Sequence, residues 1–204
     1  RSYLVIFESE LIRPDNWITH NHLFFKKIFT WADKIIDNKK YFKINLSHHF
    51  ILPQTNSHKR KLCTLIAGKK FSLHPKELYS KRLESINWFQ SNHPNDFDFY
   101  GYGWDSYFFK NRYVKFIYKK LSLKKLFKPD YLCYKGAIIS KYYTLNKYKF
   151  AICYENARDI SGYITEKIFD CFFSGCIPIY WGADNICDHI PKNCFIDRKD
   201  FNTY

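Results

Sequence analysis

Apolar positions in this chain cluster into short runs, each closed by an acid or a glycine. Tyr3–Phe7 ends at Glu8, Leu62–Ala67 at Gly68, Phe97–Tyr100 at Gly101, Phe150–Tyr154 at Glu155, and Ile177–Trp181 at Gly182. Runs of this length bounded by turn residues predict strands buried on both faces. Between them the spacing changes to a helical one. After Pro75, the residues Leu78, Arg82, Ile86 and Phe89 fall on one side of a helix that ends near Asn92. A second helix is predicted near Ser140–Lys147. A third follows Thr165, with Ile168, Phe169, Phe172 and Phe173 as its apolar face and Gly175 closing it. Thr30–Ile36 predicts one more short strand, 9–24 a loop, and 104–135 carries no period that assigns it. Strands alternating with helices predict an α/β fold with a parallel, doubly wound sheet. The polar stretch Ser47–Arg60, with Pro53, Asn56 and Ser57, divides the pattern. It places a linker at 51–60, the end of one Rossmann-like domain at 1–50 and most of a second at 61–204.

The chemistry concentrates in 150–182, a strand, loop, helix and strand with polar residues where the first strand hands over to the helix. Open α/β sheets bind ligands at that carboxyl edge. Thr165 is a good N-cap residue. A helix start presents free amides and the positive end of the dipole, which suits a phosphate. Lys167 in the first helical turn opposes the dipole. An anionic ligand explains that placement; a lysine reaching solvent and pairing with Asp170 is the plain alternative.

The segments Tyr154-Glu155-Asn156, Tyr163-Ile164-Thr165-Glu166-Lys167 and Ile177-Pro178-Ile179-Tyr180-Trp181-Gly182 resemble, in that order, the donor-binding motif of family 10 glycosyltransferases, the α-1,3/1,4-fucosyltransferases. The bacterial branch is the nearest match. Asn38-Lys39-Lys40-Tyr41-Phe42 and Tyr100-Gly101-Tyr102-Gly103-Trp104 extend the similarity over most of the chain. The resemblance implies a GT-B architecture, two Rossmann-like domains facing across a cleft, and inverting transfer of L-fucose from GDP-β-L-fucose to a glycan containing N-acetylglucosamine or glucose. It implies no metal cofactor. It implies Glu8 as the base, with Glu10 as runner-up, and Arg82 and Lys167 on the pyrophosphate, with Lys81, or a plain surface role for Arg82, as the alternative. Glu166 would accept from fucose or ribose hydroxyls, and Asn156 and Tyr163 would complete the pocket. Glu155 and Thr165 are secondary candidates. An exposed loop carboxylate is the plain alternative for Glu8.

Composition narrows the partners. The formal net charge is +14 with 21% aromatic residues, so a packed core can form and an anionic partner is implied. Residues 110–149 hold twelve Lys/Arg against one acid, Asp130. This is a solvated basic face or a contact with a membrane or lipid-linked acceptor. Asp96-Phe97-Asp98 raises a competing enzyme class, a GT-A-like transferase holding a divalent metal on a nucleotide diphosphate. The charge and interleaved aromatics raise a non-enzyme class, a nucleic-acid-binding module. It explains the charge but not the constellation at 155–182, so no nucleic acid is expected. Seven cysteines without a CxxC pair argue against a zinc site, and Cys63 and Cys153 read as buried thiols. The chain opens at Arg1, contains no Met, and is read as an internal piece of a longer protein. Its expected place is the cytoplasm, peripheral on the inner membrane, if bacterial, or the Golgi lumen if eukaryotic.

Overall fold

The computed structural model describes residues 2–46, 50, 52, 61–106, 112–120 and 129–203. Two parallel sheets form. The first has three strands in chain order, β1 (Tyr3–Ile6), β2 (Lys27–Thr30) and β3 (Tyr41–Lys43). The second has five, β4 (Lys61–Ile66), β5 (Phe97–Tyr100), β6 (Tyr148–Tyr154), β7 (Ile177–Trp181) and β8 (Ile196–Asp197), in the order β5-β4-β6-β7-β8. Its helices are α1 (Tyr79–Asn92), α2 (Arg112–Lys120), α3 (Lys141–Leu145) and α4 (Glu166–Phe173). Most of the 51–60 linker lies outside the described residues.

The second sheet is buried on both faces, which is why its strands read as unbroken apolar runs. Leu78 and Ile86, at the start and on the inner face of α1, join Cys63, Leu65, Phe97, Phe99 and Ile152 in one core. On the other face, Ile168 and Cys171 of α4 and Leu145 of α3 pack with Ala151, Cys153 and Tyr180. The chain runs outward from β4 to β5, then from β6 to β7 and β8. The direction therefore reverses between β4 and β6, and the crevice beyond their carboxyl ends is the natural ligand position.

Three expectations need correction. The second strand is Lys27–Thr30, not Thr30–Ile36. The apolar residues that suggested the later segment, Trp31 and Ala32, are buried against Ala157 and Tyr163 of the other unit instead of in a sheet. Residues 33–35 form a 3-10 turn. The 9–24 loop likewise holds 3-10 turns at Pro14–Trp17 and Thr19–Phe24. Helix α1 begins at Tyr79 and not at Pro75, because residues 76–78 are tied to the loop after β6. The Leu78 amide donates to the Asn156 carbonyl at 3.0 Å and Glu77 bridges Ala157. Glu77 then serves the helix start, accepting from the Ser80 amide at 3.0 Å.

Candidate active site

A cleft of about 660 Å³ opens at the reversal point, well within the size range of small-molecule sites. The second sheet's side supplies Gly68, Lys70, Arg82, Tyr102, Asn156, Tyr163, Thr165, Glu166 and Lys167. The first supplies Phe7, Glu8 and Leu46. The sequence motif is thus gathered into one place, together with two lysines it omits, Lys70 and Lys141. Glu10 does not line the cleft.

Glu155 is the pivot of the inner wall. It follows β6 directly and is fully buried. Its Oε1 accepts from the Thr165 amide at 2.8 Å, and its Oε2 accepts from the Thr165 hydroxyl at 2.8 Å and Lys167 Nζ at 2.9 Å. Gly182 makes room for it: a Cβ there would fall 2.6 Å from Glu155 Cγ and 2.3 Å from the Tyr180 hydroxyl. Thr165 does occupy the N-cap position, but its hydroxyl makes no capping bond. It donates to Glu155 instead. The partner of Lys167 is Glu155, not Asp170, which pairs with Lys141 at 2.8 Å. Burial works against the Lys167 ammonium, yet Glu155 and Glu166 raise its pKa well above the ordinary lysine value.

Arg82 is buried on the inner face of α1. Its Nη2 donates to the carbonyls of Tyr154 at 2.6 Å and Glu155 at 2.9 Å and to Asn156 Oδ1 at 3.2 Å. Its guanidinium lies 5.2 Å from the Tyr79 ring centroid. Desolvation lowers its pKa, opposed by Tyr79 and Glu155, and Nε and Nη1 make no hydrogen bond to the described residues. Asn156 in turn donates to the Tyr163 hydroxyl at 3.3 Å. Burial and Glu155 push the Tyr163 phenol up to about 12, so it stays a hydrogen-bonding hydroxyl. Glu166 is half exposed and faces Lys141 at 3.2 Å. Burial raises its pKa, but Lys167 and Lys141 overcome that and bring it to about 2. Tyr79 was not anticipated. Its hydroxyl is buried and has no hydrogen-bond partner among the described residues, within electrostatic reach of Arg82, Lys167 and Glu8.

The outer wall hangs on an aromatic joint. Trp31 lies 4.7 Å from Tyr163, centroid to centroid, and its indole N–H donates to the Phe7 carbonyl at 2.9 Å. That bond holds the end of β1 against the 155–165 loop. Gly162, at φ +79°, fits directly beneath it, since a Cβ would fall 2.2 Å from the Trp31 carbonyl oxygen. Asn185 Nδ2 donates to Asp33 Oδ2 at 2.9 Å, and Asn185 Oδ1 accepts from the Gly162 amide at 2.8 Å. Glu8 emerges from this joint exposed, with its carbonyl taken by the Trp17 indole at 3.0 Å.

The competing Asp96-Phe97-Asp98 motif has a structural role. Asp98 is buried and pairs with Lys61 at 2.9 Å, Lys135 at 3.6 Å and the Tyr148 hydroxyl at 2.6 Å. Asp96 sits on an exposed turn beside His93. Among the described residues, no three His, Cys, Asp or Glu side chains gather as a metal site. Cys63 and Cys153 are buried free thiols, as expected.

Two facing parallel sheets with a cleft at the strand reversal define a GT-B glycosyltransferase fold. A solved α1,3-fucosyltransferase with GDP matches over 90% of this chain and 55% of its own length, at a TM-score of 0.56 and 17% identity. That identity supports the fold alone. Residues 111–204 match the model of glycosyltransferase family 10 (fucosyltransferase) C-term. Alpha-(1,3)-fucosyltransferase FucT of Helicobacter pylori is 42% identical over 60 residues, 29% of this chain and 12% of the relative. GDP-fucose protein O-fucosyltransferase 3 of Xenopus laevis is 28% identical over 150 residues, 72% of this chain and 31% of the relative. The chain therefore spans a third or less of the length of these relatives.

Proposed function

We propose that this chain carries the donor site and the base of an inverting, metal-independent fucosyltransferase. It would move L-fucose from GDP-β-L-fucose to a hydroxyl of a glycan containing N-acetylglucosamine or glucose. The observation that carries this reading is the arrangement of one cleft. Groups suited to a phosphate (Arg82, Lys167 and the start of α4) line one wall, and an exposed carboxylate, Glu8, stands on the other.

Each group has a part in a single displacement. Arg82 offers its free guanidinium edge to phosphate oxygens, a geometry that suits two acceptors at once. Lys167 and the α4 amides stabilise the charge that grows on the departing diphosphate, replacing a divalent cation in that role. Glu166, ionised across the ordinary pH range, accepts from fucose or ribose hydroxyls. Tyr163 and Asn156 close the sugar pocket. Glu8 takes the acceptor proton as the hydroxyl attacks from the face opposite the diphosphate, which inverts the anomeric centre.

The Xenopus relative, named for fucosylating protein, favours a second reading that changes only the acceptor: a side-chain hydroxyl of a polypeptide. Membrane contact through residues 110–149 is also proposed, supported by their charge and by the exposed Tyr113, Phe116 and Ile117 on one face of α2. No helix among the described residues is long and apolar enough to cross a membrane.

The test is transfer by the full-length protein from labelled GDP-fucose to a panel of glycans and folded protein domains, with and without excess EDTA. Glycan transfer that survives EDTA is the expected result. Transfer to polypeptide alone selects the second reading. Complete, Mn²⁺-reversible loss under EDTA would remove the metal-independent mechanism.

A further inference from the structure

The inner wall is nearly neutral as it stands. Glu155 answers Lys167, while Glu166 and Asp170 share Lys141. With Arg82 added, three carboxylates face three cations. A sugar-linked diphosphate brings two negative charges, and the departing nucleotide carries more. The start of α4 offers about half a positive charge. This wall lacks a full cation for its ligand.

Lys70 supplies the candidate. It lines the same cleft, it is exposed, and it pairs with no carboxylate among the described residues. The backbone fixes its direction. The chain leaving β4 stays extended beside the segment after β5, with the Ala67 amide on the Tyr100 carbonyl and the Lys69 amide on the Tyr102 carbonyl, both at 2.9 Å. Extended residues alternate sides. Lys69 points away from the cleft, its Nζ on the Ser106 carbonyl at 3.0 Å and 5.8 Å from the Tyr131 ring centroid. Lys70 therefore faces inward, on the β4 side of the strand reversal and across it from the start of α4.

We propose that Lys70 binds the diphosphate of the donor, as the cation that gives the inner wall of the cleft its net positive charge. The inference rests on the nucleotide-sugar reading of the site. It adds a phosphate-binding residue from outside the motif at 154–182. Lysine serves here as a flexible point charge, able to follow the diphosphate as it departs.

The experiment is calorimetric titration of the full-length protein and its Lys70→Met and Lys70→Arg variants with GDP, GMP and guanosine at two salt concentrations. Lys70 is exposed, and circular dichroism checks that each variant folds. Lys70→Met should weaken GDP binding by roughly tenfold or more, weaken GMP less, leave guanosine unchanged, and flatten the salt dependence. Lys70→Arg should recover most of the loss. Unchanged GDP affinity in folded Lys70→Met overturns this inference while leaving the donor site intact. An equal loss for guanosine also overturns it, placing Lys70 on the nucleoside. Failure of the wild-type protein to bind GDP overturns the donor reading, and this inference with it.

Discussion

The two walls of the cleft are built in opposite ways. On the inner wall, Glu155, Thr165, Lys167, Arg82 and Asn156 hold one another in a buried network. On the outer wall, Glu8 stands in solvent, its backbone carbonyl engaged by Trp17 and its carboxylate unpaired among the described residues. A pyrophosphate site benefits from charges fixed in advance, because donors already oriented need no reorganisation as the leaving group departs. A base has the reverse need. Its proton partner belongs to the acceptor, so a carboxylate already paired within the protein would be a poor base. Stability and chemistry should therefore separate cleanly between the walls.

The largest expected effect lies under the inner wall. Glu155→Ala removes the buried carboxylate paired with Lys167 and should cost about 3–5 kcal/mol, as when one partner of a buried pair is lost. Lys167→Ala should weaken GDP binding and also lose stability, unlike an exposed lysine, because it strands Glu155. Urea denaturation of both single variants and of the double variant, Glu155→Ala with Lys167→Ala, measures the coupling. Additive losses in the double variant would mean that the pair is not a unit.

On the outer wall the order reverses. Glu8→Gln should leave stability within about 0.5 kcal/mol and GDP affinity unchanged. It should slow transfer by roughly 10²–10⁴, the range for positioned general-base catalysis. Glu10→Gln should be near wild type on every measure. Slow transfer in Glu10→Gln with normal transfer in Glu8→Gln would shift the base by two residues.

These walls differed equally in how far the sequence revealed them. The strand, helix and strand from Phe150 to Trp181 was legible because a doubly buried strand has no polar face to confuse its period. The observed bounds of β7 match the apolar run residue for residue. Lys167 stood out because it sits where a helix disfavours it, but its counterion did not. Glu155 resembles any strand-terminal acid until Gly182 is seen to clear space for it. Trp31 and Ala32 misled by one competing effect, since apolar residues that seal a joint between two units look the same as strand residues. Lys70 carried no signal at all. Its role depends on which side of an extended segment faces the cleft, and the partner of that segment follows Gly101 more than thirty residues away.

The joint itself offers an intermediate effect. Gly162→Ala adds a methyl at a left-handed position and into the Trp31 carbonyl, at a cost of about 1–3 kcal/mol. Because that contact holds the end of β1, transfer should fall more than GDP affinity does. Measuring kcat beside the GDP Kd distinguishes the two. Equal losses would mean that the joint supports the donor wall alone.

The smallest effect tests the one carboxylate that belongs to the inner wall yet faces solvent. Glu166 ionises near 2, down from an ordinary 4.5. A carboxyl with a depressed folded value stabilises the native state above its unfolded pKa and loses that contribution as pH falls through the folded one. The stability difference between wild type and Glu166→Gln should thus be constant above about pH 5 and vanish toward pH 2. Its side chain is 45% exposed, so solvent screening should keep the difference below about 1 kcal/mol. Urea midpoints of the two proteins, compared across that window, measure it. A difference that instead grows as pH falls would mean that Glu166 is held by something other than Lys141 and Lys167, and that the inner wall extends past the residues assigned to it.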